Sequence, residues 1–268
     1  MIGTGTNANF AELNRNRPGD TDNDFICFSI HPQEHATDNY TLTENLIAQY
    51  HTVKSASLFA GKKKIFISPV TLARRFNANI SYIELPAYGE KMPQQIDSRQ
   101  LSLYGACWTL GSLKYLCESE ADSVTFYQTT GERGIIQGEY DSLWPEKFPA
   151  TRGMIFPIYH IFRYLLSNKD LEVVKSVSSD PYKTECLALT DGKKIRALLV
   201  NLTGEVQIAR INCCSGLFRI RSLHSGNFSE AVSNYRWTGN SAEKVIKSDD
   251  SFSLEPCSVN FIEGWLRH

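Results

Sequence analysis

Residues 25–70 read FICFSIHPQEHATDNYTLTENLIAQYHTVKSASLFAGKKKIFISPV, and the order of patterns inside this stretch decides the fold. FICFSI (25–30) is a short β-favouring run that stops at His31-Pro32-Gln33. TLTENLIAQYHTVKSASLFAG (41–61) then places Leu42, Leu46, Ile47, Tyr50 and Val53 at helical spacing, with Thr41 or Thr43 as N-cap and Gly61 as the stop. KKIFISPV (63–70) is a strand again, closed by Pro69. A strand, a helix and a strand in this order form a crossover, which sets the two strands parallel in one sheet.

The alternation continues outward. SRQLSLYGACWTLGSLKYLCE (98–118) predicts a helix apolar nearly all round, SVTFYQTT (123–130) a strand, and IFPIYHIFRYLLS (155–167) a last helix, in which Pro157 is tolerable only in the first turn. Upstream, NANFAELNRNRP (7–18) predicts a strand with Ala8, Phe10 and Leu13 on one side and Asn9, Glu12 and Asn14 near its end. Glu12, Asn14, His31, His35, Gln128 and Thr129 then stand at strand C-ends, where the ligand face of a (β/α) barrel lies. Four strands fall short of the eight that a complete barrel of about 250 residues carries. Residues 1–168 therefore read as a partial (β/α) TIM-type barrel of about four β/α units.

After Asn168 the pattern changes. ECLALTDGKKIRALLVNLTGEVQIARI has a DG turn between two alternating runs, and FRIRSLH and SFSLEPCSVNFIEGW supply further period-two segments. Residues 169–268 read as an antiparallel β-sandwich, with the boundary at SNKD or SVSSDP. The fold class expected is α/β followed by all-β.

The bulk values exclude several classes. Among 268 residues, 28 Lys and Arg nearly cancel 29 Asp and Glu, so no basic stripe suggests nucleic acid, and Lys62–Lys64 reads as a solvated turn before a strand. The seven cysteines are odd in number, contain no CxxC and lie mostly in apolar runs, which reads as buried free thiols in a reducing compartment; Cys213-Cys214 is the one vicinal pair. The start MIGTGTNANF has no basic flank or apolar core of a leader, and no segment reaches about 18 uninterrupted apolar residues. A soluble cytoplasmic protein that uses no membrane is the expectation.

Glu12 can act as a general base or acid if partial burial raises its pKa; the plainer reading is a rim salt bridge to Arg15 or Arg17. His31 and His35 are four apart, but Pro32 between them argues for a loop, and no third ligand stands at a recognisable spacing, so neither metal nor cofactor is expected. Either histidine could donate to a substrate oxygen or orient Glu12. In FYQTTGERG (126–134), Tyr127, Gln128 and Thr129 could bond a polyhydroxylated ligand, whereas Glu132 and Arg133 read as loop charges. Gln128 cannot ionise, so it cannot be the partner acid of a two-carboxylate glycosidase.

NANFAELNRNRP, FSIHPQEHATD, FISPVTLARRFN, QQIDSRQLSLYGACWTLGSLKYLCESEADSVTFYQTTGERG and the closing LEPCSVNFIE together resemble the D-apionate lactonase family of sugar-acid catabolism. The resemblance implies a glycoside-hydrolase-like TIM barrel followed by a C-terminal β-sandwich. This chain corresponds to the second half of the barrel and the sandwich, so it reads as a fragment or a truncated gene product. The resemblance also implies hydrolysis of an aldonolactone, in which water adds to the ester carbonyl and the ring alkoxide leaves. It implies a Glu at the position of Gln128 and an aromatic residue at that of Glu132, so one carboxylate is missing from the strand end.

The leading expectation is a lactonase acting on a sugar or sugar-lactone ligand. Glu12 would be the general base, His35 or His31 would polarise the carbonyl or protonate the leaving oxygen, and Asn9, Asn14, Arg15, Tyr127, Gln128 and Arg133 would bind substrate. The alternatives are a glycoside hydrolase with a carboxylate pair about 5 to 9.5 Å apart, and a non-catalytic carbohydrate-binding remnant. An open half barrel would leave two sheet edges unpaired, which predicts a homodimer through the incomplete barrel or rearranged pairing.

Overall fold

The computed structural model describes residues 1–19, 22–76 and 91–267; Asn77, which ends one of the quoted stretches, lies outside them. Four strands, β1 (Gly3–Gly5), β2 (Phe25–Ile30), β3 (Lys64–Val70) and β4 (Ser123–Phe126), form a sheet in sequence order with every neighbouring pair parallel. Each strand runs into a loop or helix before the next: α1 (Phe10–Arg15) after β1, α2 (Asn39–Glu44) and α3 (Leu46–Ala60) after β2, α4 (Leu103–Cys117) after β3 and α5 (Pro157–Ser167) after β4. This is the arc of a partial TIM-like barrel, with β1 and β4 as its edges.

Three local expectations are corrected. NANFAELNRNRP is not a strand: β1 lies upstream at Gly3–Gly5, and the stretch turns into α1. The cause is Asn9, whose side chain accepts from the Ala11 amide at 3.1 Å while Glu12 sits in the first turn, and an Asn followed three residues later by Glu is a helix-start pattern. The helix expected over 41–61 is two helices, with Asp38 rather than Thr41 or Thr43 capping the first. Finally, β4 stops at Phe126, because Tyr127 takes a positive φ of 51° that no strand accommodates.

The rest of the chain contributes β5 (Glu172–Val174), β6 (Thr184–Thr190), β7 (Lys194–Asn201), β8 (Gln207–Ala209), β9 (Cys214–Leu223), β10 (Lys244–Lys247), β11 (Phe252–Leu254) and β12 (Val259–Leu266), with short helices α6 (Phe228–Ala231) and α7 (Trp237–Asn240) between β9 and β10. They build a six-stranded antiparallel sheet, ordered β10-β9-β12-β7-β6-β5, and a two-stranded sheet of β11 and β8. The DG pair at 191–192 turns β6 into β7 as read from the sequence.

Alternation along the strands gives the large sheet two apolar faces. Ala188, Ala197, Leu199, Phe218 and Ile262 pack toward Leu254 and Phe252 of β11. Leu187, Leu198, Val200, Val259 and Phe261 share one core with Trp108, Leu110 and Leu116 of α4. Helix α4 is buried from Tyr104 to Leu116 because it lies between the parallel sheet with its helices and the antiparallel sheet, which explains its all-round apolar sequence. The cysteines are all free; Cys107 and Cys214 are buried, but Cys117 and Cys213 are exposed, against the expectation from their apolar neighbours.

Candidate functional site

The C-terminal ends of β1, β2 and β3 converge on one histidine. His31 directly follows β2, and its side chain is only 3% exposed. Its Nε2 lies 3.0 Å from Glu34 Oε1. A carboxylate has no proton to give, so Nε2 carries the hydrogen and Nδ1 keeps a lone pair. That Nδ1 is buried without a hydrogen-bond partner.

Glu34 is held from three sides. Besides the His31 ring, Asn9 Nδ2 donates to its Oε1 at 2.5 Å and Arg74 Nη2 to its Oε2 at 2.5 Å. Asn9 precedes α1 in the loop after β1, and Arg74 follows β3, so one carboxylate joins three loops of the barrel's ligand face. Burial holds the His31 imidazole below its usual range; Glu34 and Glu12 favour the charged ring while Arg74 opposes it, and burial prevails. The ring is thus neutral near pH 7, with one committed and one free nitrogen.

Glu12 stands in the first turn of α1, near enough for its charge to act on His31. Its Oε1 lies 3.4 Å from Arg15 Nη1, the rim contact considered from the sequence, but Arg15 is 71% exposed and such a pair contributes little. Its Oε2 is buried and unpartnered. Two unpaired acceptors, Glu12 Oε2 and His31 Nδ1, therefore lie in one neighbourhood. A crevice of roughly 300 Å³ opens beside His31, lined by Asn9, Phe10, Ser29, His31, Gln49 and Thr52 among others, with Glu12 outside its lining.

The remaining expected residues are placed differently. His35 is exposed in the loop after His31. Asn14 is exposed, and its Oδ1 accepts from Arg17 at 2.8 and 3.2 Å, so Arg17 engages Asn14 and not Glu12. Tyr127 is buried, shares a 2.7 Å hydrogen bond with Thr109, and has its phenol pushed far above the usual range by burial, so it braces β4 against α4. Gln128 is exposed, and its backbone N–H donates to Arg133 O at 2.9 Å to close the turn after β4. That turn needs Gly134, where a Cβ would meet the Thr130 backbone at 2.7 Å. Sequence reading therefore brought Asn9, Glu12 and His31 to one place but missed Glu34 and Arg74. The available signal was Glu34 three residues after His31; Arg74 had none, because only the parallel pairing of β2 and β3 brings it to Glu34.

Among the described residues, no group of three or more His, Cys, Asp or Glu is placed to hold a metal ion, and no helix is long and apolar enough to cross a membrane.

The fold has solved counterparts. The chain is similar to an α-L-arabinofuranosidase from Thermotoga maritima (TM-score 0.56, 14% identity, 91% of this chain and 53% of that one). It is likewise similar to a GH39 β-xylosidase from Caulobacter crescentus (0.51, 13%, 95% and 53%) and a GH30 endoxylanase from Clostridium papyrosolvens C71 (0.52, 8%, 97% and 55%). At these identities the likeness concerns the fold, a TIM barrel with a β-sandwich after it, and the chain spans about half the length of each counterpart. No functionally curated protein matches the sequence. The profile of the D-apionate lactonase TIM barrel domain, however, matches residues 1–170, which include all four parallel strands and the His31 site, and the chain therefore belongs to the D-apionate lactonase family.

Proposed function

We propose that the chain hydrolyses a sugar-acid lactone of the D-apionolactone type, with His31 as general base. The observation that carries this reading is the His31–Glu34 pair: Glu34 fixes the ring with its hydrogen on Nε2 and leaves Nδ1 as an unoccupied acceptor. A water between Nδ1 and Glu12 Oε2 loses a proton to Nδ1 as its oxygen adds to the lactone carbonyl carbon. Collapse of the tetrahedral adduct breaks the ring C–O bond, and the imidazolium returns the proton to the departing alkoxide, giving a hydroxy acid. Glu34 steadies the transient positive charge, as a carboxylate does behind a catalytic histidine. Glu12, the general base expected from the sequence, becomes the second acceptor that orients the water. Gln128 cannot ionise, so proton transfer rests on this cluster.

His31→Gln is expected to lower turnover of five-membered sugar lactones by about 10² to 10⁴ with the melting curve retained, and Glu34→Gln to lower it by a smaller factor. Unchanged turnover in His31→Gln would remove the assignment. Glycosidase chemistry is the second reading, favoured by the two carboxylates, Glu12 and Glu34, that both act on His31. It requires cleavage of aryl pentofuranosides or pentopyranosides by the wild-type chain, abolished in both Glu12→Gln and Glu34→Gln.

A further inference from the structure

A second cluster stands on the same face, at the ends of β3 and β4, and its chemistry differs from that of the His31 site. Arg75 lies in the loop after β3 beside Arg74, and Arg133 lies in the turn after β4. Hydrogen bonds stitch these loops into one wall. Gln33 Nε2 donates to Leu72 O at 2.7 Å and to Asp97 Oδ2 at 2.5 Å, and Gln100 Nε2 donates to Gly134 O at 2.7 Å.

The two guanidiniums are poorly matched by their surroundings. Arg75 Nε is buried without a hydrogen-bond partner. Among the described residues, neither Arg75 nor Arg133 has a carboxylate within ion-pair distance, although the neighbouring arginines Arg74 and Arg99 each have one. The acid at hand is already committed: Asp97 accepts from Arg99 Nε at 2.9 Å, from Arg99 Nη2 at 2.6 Å and from Gln33. Burial disfavours the Arg75 charge, the Arg133 charge disfavours it further, and only Tyr127 acts the other way. Guanidinium does not relieve such repulsion by losing its proton. An external anion does relieve it, and a planar carboxylate offers two oxygens in the geometry that guanidinium donors fit.

We propose that Arg75 and Arg133 form a carboxylate subsite that holds the acid group of an aldonate, the ring-opened form of the lactone. This inference deepens the hydrolase reading, because hydrolysis converts a neutral ester into a carboxylate that did not exist in the substrate. The subsite would favour the product over the lactone, so the enzyme would be inhibited by its product and would bind open-chain sugar acids ahead of neutral sugars.

Isothermal titration of the full chain with D-ribonate, ribitol and D-ribose 5-phosphate tests it. Ribonate is expected to bind at least ~10-fold tighter than ribitol, in keeping with the strength of charge-assisted bidentate hydrogen bonds. Arg75→Gln and Arg133→Gln should each remove most of that advantage while leaving ribitol binding and the melting curve in place. Equal binding of ribonate and ribitol, or ribonate binding indifferent to both substitutions, would overturn the subsite. A preference for the phosphate over ribonate would overturn the carboxylate assignment. Lactone turnover, measured separately, keeps the two readings apart. Arginine-dependent ribonate binding without turnover leaves the subsite and removes the hydrolase, and turnover with arginine-independent ribonate binding does the reverse.

Discussion

His160 shows how a single side chain acquires a pH dependence that its sequence position does not reveal. It lies in α5, fully buried, with Nε2 2.9 Å from Ala231 O and Nδ1 3.1 Å from Thr238 Oγ1. The carbonyl can only accept, so Nε2 carries the hydrogen and the neutral ring takes the Thr238 proton at Nδ1. Burial lowers its pKa most, the Ala231 bond raises it, and Arg163 lowers it again. With the folded pKa below the unfolded value of about 6.5, the unfolded chain binds the proton first as pH falls. Stability is therefore full above pH 6.5 and declines as pH drops toward the folded pKa, with His31 acting in the same direction. Melting temperatures measured from pH 8 to pH 5 should fall in the wild-type chain and fall less steeply in His160→Gln; parallel profiles would refute the assignment. Sequence reading passed over His160, since one histidine in an apolar helix resembles any other until its partners on α6 and α7 are known.

Elements were more legible than residues, and their errors have local causes. The crossover from β2 through α3 to β3 follows from periodicity because each pattern persists for several residues, with apolar groups returning to one face. Helix α1 was misread because six residues are too few for a period to emerge, although the Asn9 and Glu12 pairing carried the start signal. The long helix expected over 98–118 begins with a 3₁₀ turn at Ser98–Leu101, and Ser102 caps α4 with its hydroxyl 3.0 Å from the Gly105 amide. Gly105 permits that junction: a Cβ there would lie 2.0 Å from Arg99 O. Helix propensity alone favours Ala over Gly by about 1 kcal/mol, whereas overpacking of this kind costs about 1 to 3 kcal/mol, and here the obstacle is backbone that cannot rotate away. Gly105→Ala should therefore lower the urea midpoint with an unchanged m-value. A midpoint that rises would mean that the turn moves freely.

At the scale of the molecule, charge and packing join the two sheets. Lys114 of α4 lies 3.3 Å from Glu185 Oε2 of β6 and 3.8 Å from Glu118, Tyr115 donates to the other Glu185 oxygen, and Glu118 Oε1 accepts from Ser176. Burial raises the Glu185 pKa against the pull of Tyr115 and Lys114, yet its 1% exposure makes the pair costly to break. Removing one partner of a buried pair costs about 3 to 5 kcal/mol, and Glu118 remains to compensate partly, so Glu185→Ala should cost about 3 kcal/mol. Because one apolar core runs from the parallel sheet through α4 to the antiparallel sheet, the loss should appear as an earlier but still single transition by fluorescence and circular dichroism. Two separated transitions would contradict this. The sequence by itself determined the succession of parallel crossovers and antiparallel hairpins, because hydrophobic period is a local property that each segment carries alone. Only the tertiary structure decided that Glu34 stands behind His31 with Arg74 and Asn9 around it, and that Arg75 and Arg133 share a wall. Those groups lie on loops after three or four different strands, and strand register, which no single segment encodes, brings them together.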